Sequence, residues 1–153
     1  MWSEGSAQWR LRCDETLNVR KIFDFILFGL AFVLLSIFIR PQKNQREKII
    51  GFAAEQFIGN AKYLYLEMVK YPNVKVFFVT DKNKIERLSG KGVDARYYVD
   101  VKSVPLFLRT HAWVTSHGPY YIPFVGVVRG FIPFFRWKYG SKWIDVWHGI
   151  GFK

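Results

Sequence analysis

Residues 22 to 39 read IFDFILFGLAFVLLSIFI, and no other stretch of the 153-residue chain narrows its folding choices so far. Only Asp24, Gly29 and Ser36 interrupt the run. Eighteen helical residues rise about 27 Å, close to the roughly 30 Å thickness of a bilayer's hydrocarbon. Arg20 and Lys21 stand before it; Arg40, Lys43, Arg46 and Lys48 follow it. A secretory signal fits poorly, because the leader is long and no small-residue cleavage site follows. The competing reading is a helix buried in a protein core, but buried helices seldom run apolar on every side. The run therefore predicts a transmembrane or membrane-embedded helix over residues 22–40. Similar numbers of Lys and Arg on its two sides leave its orientation open.

Beyond residue 40 the rhythm changes. Ile49, Ile50, Phe52 and Ala53 predict a first strand. GNAKYLYLEMVKYP predicts a helix capped by Asn60, with Tyr63, Leu64, Leu66 and Met68 on its apolar faces and Pro72 beyond its end. VKVFFVT, β-branched and aromatic, predicts a second strand. DKNKIERLSGKG predicts a short helix with Asp81 as its cap and Gly90 or Gly92 near its end. ARYYVD, AWVTS and KWIDVW predict three more strands, with a short helix in VKSVPLFLRTH. Strands alternating with helices of this length imply βαβ units and a mostly parallel sheet covered on both faces. In such sheets ligands gather at the carboxyl ends of the strands. The loops Thr80-Asp81, Ser116-His117-Gly118 and His148-Gly149 are expected there.

The formal net charge of +11 implies an anionic partner. The single cysteine, Cys13, excludes an intrachain disulfide framework, and no cluster has metal-ligand spacing. Residues 120 to 143 carry nine aromatic residues, four Lys or Arg and no acid. Two prolines and three glycines break this stretch too often for one spanning helix. Its composition suits a membrane–water interface, with Arg129, Phe134, Phe135, Arg136, Trp137 and Lys138 as the contacting residues. A helical cover for the sheet, its basic residues merely solvated, is the alternative. Nucleic acid is not expected as a partner, given the neighbouring apolar run.

The chain closes on WIDVWHGIGFK. In a regular strand Trp143 and Asp145 face one way, Ile144, Val146 and His148 the other. His148 then emerges where the strand stops, and Gly149 allows a sharp turn close to a ligand. His111, just before a strand, reads as structural. Trp147-His148-Gly149-Ile150-Gly151-Phe152-Lys153 resembles the W-H-G-x-x-x-K signature of the CDP-glycerol glycerophosphotransferases of teichoic-acid synthesis. RPQKNQREKIIGF resembles that family's basic entry to its first strand, and GNAKYLYLEMVKYPNVKVFFVTD its first helix and second strand. The resemblance covers residues 40 to 153. Where the family usually shows Thr-Pro-Leu before the Lys, this chain has Ile150-Gly151-Phe152. Asp145 stands where a Gln is common.

The resemblance implies the N-terminal half of a GT-B-like fold. Residues 1–21 would be a basic segment, 22–40 the membrane helix and 41–153 a Rossmann-like acceptor-side domain ending before the donor domain. It also implies transfer of glycerol phosphate, or of ribitol phosphate or another polyol phosphate, from a CDP-activated donor to an acceptor hydroxyl. His148 would be the general base, and Gly149, Lys153, His117 and Gly118 would bind substrate. No cofactor is implied beyond the donor. The expected partners are anionic lipid and a polyprenyl-linked or glycolipid acceptor polymer, with the domain on the cytoplasmic side of the cell membrane. Two other functions fit the same features: a GT-B glycosyltransferase using a sugar nucleotide, and a non-catalytic membrane-bound module that binds an anionic polymer.

Overall fold

The computed structural model describes residues 19 to 39, 47 to 54, 57 to 115 and 141 to 146. Five parallel strands form its centre: β1 (Lys48–Ala53), β2 (Val74–Thr80), β3 (Ala95–Tyr97), β4 (Ala112–Thr115) and β5 (Lys142–Asp145). Their spatial order is β3-β2-β1-β4-β5, with every neighbouring pair parallel. The chain is thus α/β with a Rossmann-like sheet, and the strand order reverses between β1 and β4. The helices are α1 (Val19–Phe38), α2 (Gly59–Met68), α3 (Lys82–Ser89) and α4 (Val104–Leu108), the last preceded by a 3₁₀ turn over Val101–Ser103.

Strict alternation along the strands feeds two cores. Ile49, Ala53, Phe77, Val79 and Trp113 face one layer, where they meet Phe28 and Phe32 of α1 and Phe107 of α4. Phe52, Val76, Phe78 and Val114 face the other, where they meet Ala61 and Tyr65 of α2 and Leu88 of α3. Because both faces are covered, β2 is buried without a break from Val76 to Thr80. Trp143 of β5 packs on the first core and Val146, one residue past the strand, on the second, as the alternation predicts.

Gly51, in the middle of β1, makes the first core possible. A Cβ there would lie 2.6 Å from Cζ3 of Trp113 and 2.7 Å from Cζ of Phe77. The bare backbone admits both rings, which meet edge to face at 5.5 Å. From this pair an aromatic series runs outward: Phe107 lies 5.6 Å from Phe77, and Trp143 lies 6.4 Å from Trp113. Phe28 of α1 reaches the series 6.1 Å from Phe107.

The largest departure from expectation is α1. Among the described residues no helix is long and apolar enough to cross a membrane. Arg20 and Lys21 fall within its first turn, leaving residues 22 to 38 as its apolar part. Those residues rise only about 25 Å, short of roughly 30 Å of hydrocarbon. Instead of standing apart, α1 turns a narrow stripe of Phe28, Phe32 and Ser36 inward and meets α4 and the 3₁₀ turn of the first core layer. The Ser36 hydroxyl donates to the Val33 carbonyl at 2.7 Å, so a polar residue can sit in that stripe. Ala31 and Leu35 flank that stripe half-buried against the first core, while the large apolar side chains of the other sides are exposed, from Phe23 at 59% to Phe38 at 76%.

Smaller differences have local causes. Ile58, not Asn60, holds the cap position of α2, with no side-chain bond, and Asn60 lies inside the first turn. Tyr63 and Leu66 are exposed, while Ala61 and Tyr65 carry the buried face. Asp81 does occupy the cap of α3, but its carboxylate pairs with Lys84 at 3.4 Å rather than with the backbone. The left-handed turn after α3 falls on Gly92 (φ 76°), while Gly90 keeps a helical φ of −62°. β3 ends at Tyr97 because Asp100 diverts the chain: its carboxylate accepts from the Lys102 amide at 3.1 Å and the Ser103 hydroxyl at 2.7 Å.

Candidate functional site

All five strands end on one edge, and the residues closing them are Ala53, Thr80, Tyr97, Thr115 and Asp145. The register sets Thr80 beside Tyr97, Ala53 beside Thr115, and Thr115 beside Asp145. Thr115 is fully buried, and its hydroxyl donates to the Asp145 carboxylate at 3.4 Å. The Val146 amide donates to the Thr115 carbonyl at 2.7 Å, extending the ladder one residue past β5. These contacts hold the exits of β4 and β5 side by side across the strand neighbouring the switch point.

The sequence places Ser116-His117-Gly118 directly after β4 and Trp147-His148-Gly149 directly after Val146. His148, Gly149, Lys153, His117 and Gly118 lie outside the described residues, as do Arg129, Phe134, Phe135, Arg136, Trp137 and Lys138. His111 is described, and its role is structural as expected. Its ring Nδ1 accepts the Ile49 amide at 3.1 Å and its own amide donates to the Ile49 carbonyl at 2.8 Å. The His111 carbonyl accepts the Lys142 amide at 2.8 Å, so one residue ties β1, β4 and β5 at their amino ends. It sits at the edge opposite the candidate site.

Two clefts open beside the carboxyl ends of β2 and β3. The larger, about 550 Å³, lies between α2 and α3. Thr80 lies at its base; Phe57, Ile58, Leu66 and Leu88 form apolar wall, and Lys62, Lys84, Arg87 and Lys91 line it with positive charge. Neither the composition nor the motifs single out these four cations. Lys84 and Arg87 share a face of α3, and Lys91 lies in the turn just past its end. That Lys62 on α2 joins them is set by the β1-α2-β2-α3 crossovers alone.

The second cleft, about 480 Å³, is charged with both signs: Asp24 and Asp100 against Lys82, Arg96 and Lys102. Asp24, the lone acid of the apolar run, thus faces a polar cavity at the start of α1 rather than the sheet. Among the described residues no three His, Cys, Asp or Glu side chains converge as metal ligands would. No family model, curated protein or solved structure matches this chain.

Proposed function

We propose that the chain is the membrane-seated, acceptor-side part of a transferase that moves glycerol phosphate, or a related polyol phosphate, from a CDP-activated donor to a hydroxyl of a teichoic-acid-type acceptor. One observation carries the reading: β4 and β5 leave the sheet together at its carboxyl edge, and the two His-Gly sequences follow those strands within three residues. Ligands of parallel sheets bind at that edge, next to the switch point. In the proposed reaction an acceptor oxygen attacks the donor phosphorus that bears the polyol. A new P–O bond forms, the diphosphate bridge breaks, and CMP leaves with the bridging oxygen. The hydroxyl proton passes to His148, whose imidazole suits a base near neutral pH.

The exposed apolar side of α1 supports the membrane seat. Leu30, Leu34 and Ile37 are each more than half exposed, on a helix the sequence brackets with Arg20, Lys21 and Arg40. That composition favours lying in an anionic interface over facing water, and the transferase reading puts that interface on the cytoplasmic side.

The test is transfer of labelled glycerol phosphate from CDP-glycerol into membrane polymer by the product of the complete reading frame. His148→Ala is expected to lower turnover by about 10²- to 10⁴-fold while acceptor KM changes little. Labelling from a UDP-sugar instead would favour a glycosyltransferase, and unchanged turnover would remove His148 from the chemistry.

A further inference from the structure

We propose that the cleft between α2 and α3 is a binding site for a soluble small molecule that carries a phosphate on a compact apolar or ring-shaped body. The inference stands on the cleft alone and does not rest on the transferase reading.

Its charge is the first argument. Lys62, Lys84, Arg87 and Lys91 line one concavity, and no carboxylate is among the described residues that line it. Asp81 offsets part of the charge of Lys84 from the rim. Cations brought together in a concave surface repel one another and focus a positive potential into it, which an anion relieves. Arg offers a planar fork and Lys a mobile point charge, the usual pairing for phosphate oxygens.

The apolar wall is the second argument, and it narrows the ligand. Ile58 is 52% exposed and Leu66 44%, although buried neighbours such as Leu88 lie in the same wall. A bare inorganic ion would leave these two side chains in water. A ligand with an apolar body would cover them while its phosphate meets the cations. The volume of about 550 Å³ falls within the range usual for small-molecule sites.

Position decides between a soluble ligand and a lipid headgroup. The cleft belongs to the layer of α2 and α3, whereas the exposed apolar side of α1 belongs to the layer across the sheet. No described residue of α1 lines the cleft, so the exposed side of that helix and the cleft present different surfaces.

The experiment is calorimetric titration of the whole chain, held in a neutral detergent, with phenyl phosphate and with inorganic phosphate. Phenyl phosphate is expected to bind more tightly by about tenfold, the ring gaining from the apolar wall. Arg87→Gln combined with Lys91→Gln is expected to weaken phenyl phosphate by about tenfold or more. Lys75→Gln combined with Lys142→Gln changes net charge equally on exposed positions away from the cleft and is expected to leave affinity unchanged. Leu66→Asn should erase the advantage of phenyl phosphate without altering the binding of inorganic phosphate. Equal losses in the two double variants would show attraction to net charge only and overturn the proposal. Absence of phenyl phosphate binding would overturn it too. Loss of binding to phosphatidylglycerol vesicles in the cleft variant alone, with phenyl phosphate binding intact in that variant, would assign the cleft to lipid.

Discussion

The exposed side of α1 offers a quantitative test, because seating in a membrane and packing on the sheet use different residues of one helix. Leu30, Leu34 and Ile37 are 57%, 57% and 65% exposed. Fully burying such a side chain contributes about 1.5–3 kcal/mol, so each exposed fraction has roughly 1–2 kcal/mol to gain from lipid. Replacing all three with Gln should therefore remove roughly 3–6 kcal/mol, about a hundredfold or more in partitioning. Stability should hardly change, since none of the three belongs to the buried stripe. Phe28→Ala should behave in the opposite way. That ring is 3% exposed and packs near Phe32 and Phe107. Its loss should cost about 3–5 kcal/mol of stability while the lipid-facing side remains intact. Flotation with phosphatidylcholine–phosphatidylglycerol vesicles at high salt, which suppresses charge attraction, reads the first effect, and chemical denaturation in detergent reads the second. A triple variant that floats like the parent at high salt would refute the seating of α1. So would a triple variant as destabilised as Phe28→Ala, because the exposed side would then be packing on protein.

Two further outcomes concern the cores. Gly51→Ala must push a methyl group into the rings of Trp113 and Phe77, and overpacking of this kind costs about 1–3 kcal/mol. The melting temperature should fall, and combining the change with Phe77→Leu should restore part of it; a Gly51→Ala protein as stable as the parent would contradict the close approach. Tyr65 is nearly inaccessible, and its hydroxyl accepts the Asp94 amide at 2.9 Å. Burial pushes its phenol above the ordinary value of 10.0, against the smaller opposing effect of that hydrogen bond. A raised native pKa means the unfolded chain loses this proton first. The contribution is full below about pH 10 and is lost as pH rises through the native value. Alkaline titration of stability should show this decline in the parent and a shallower one in Tyr65→Phe, which should also be less stable at neutral pH by about 1 kcal/mol.

How far the fold is legible in the sequence depends on whether a segment's partners are near or far along the chain. β2 is legible from its sequence, because the stretch from Val76 to Thr80 that is buried on both faces carries no charge, and VKVFFVT ends where Asp81 caps the next helix. β3 is legible in place but not in length. The Asp100 carboxylate that bends the chain into the 3₁₀ turn acts through local hydrogen bonds, which the β-rich composition of ARYYVD masks. The end of α1 is harder still. Hydropathy reports that every side of the helix is apolar; it cannot report that one narrow stripe, at Phe28, finds Phe107 of the first core 79 residues later. The same limit applies to the α2–α3 cleft, since Lys62 and Arg87 meet only through two crossovers. The role of Gly51 is likewise hidden, as an isolated glycine in a strand does not announce which ring crosses it.

The arrangement of charge and apolar surface gives the sheet a division of labour. Among the described residues, apolar exposure is concentrated on α1, which has no charged side chain between Asp24 and its end. Lys62, Lys84, Arg87 and Lys91 gather instead in the α2–α3 cleft, while Lys82 of α3 lines the second cleft with Asp24 of α1. Were both sets on one layer, anionic lipid would fill the basic cleft whenever α1 met the bilayer, because each cation near the surface gains about 1 kcal/mol from the headgroups. Because α1 contributes no lining residue to that cleft, the proposed lipid seat and the proposed phosphate site use different side chains. Both layers nevertheless meet at the carboxyl edge, where Thr80 closes β2 beside the cleft and Thr115 and Asp145 close β4 and β5. An acceptor held at the membrane and a phosphorylated ligand arriving from water would therefore approach that edge from opposite layers.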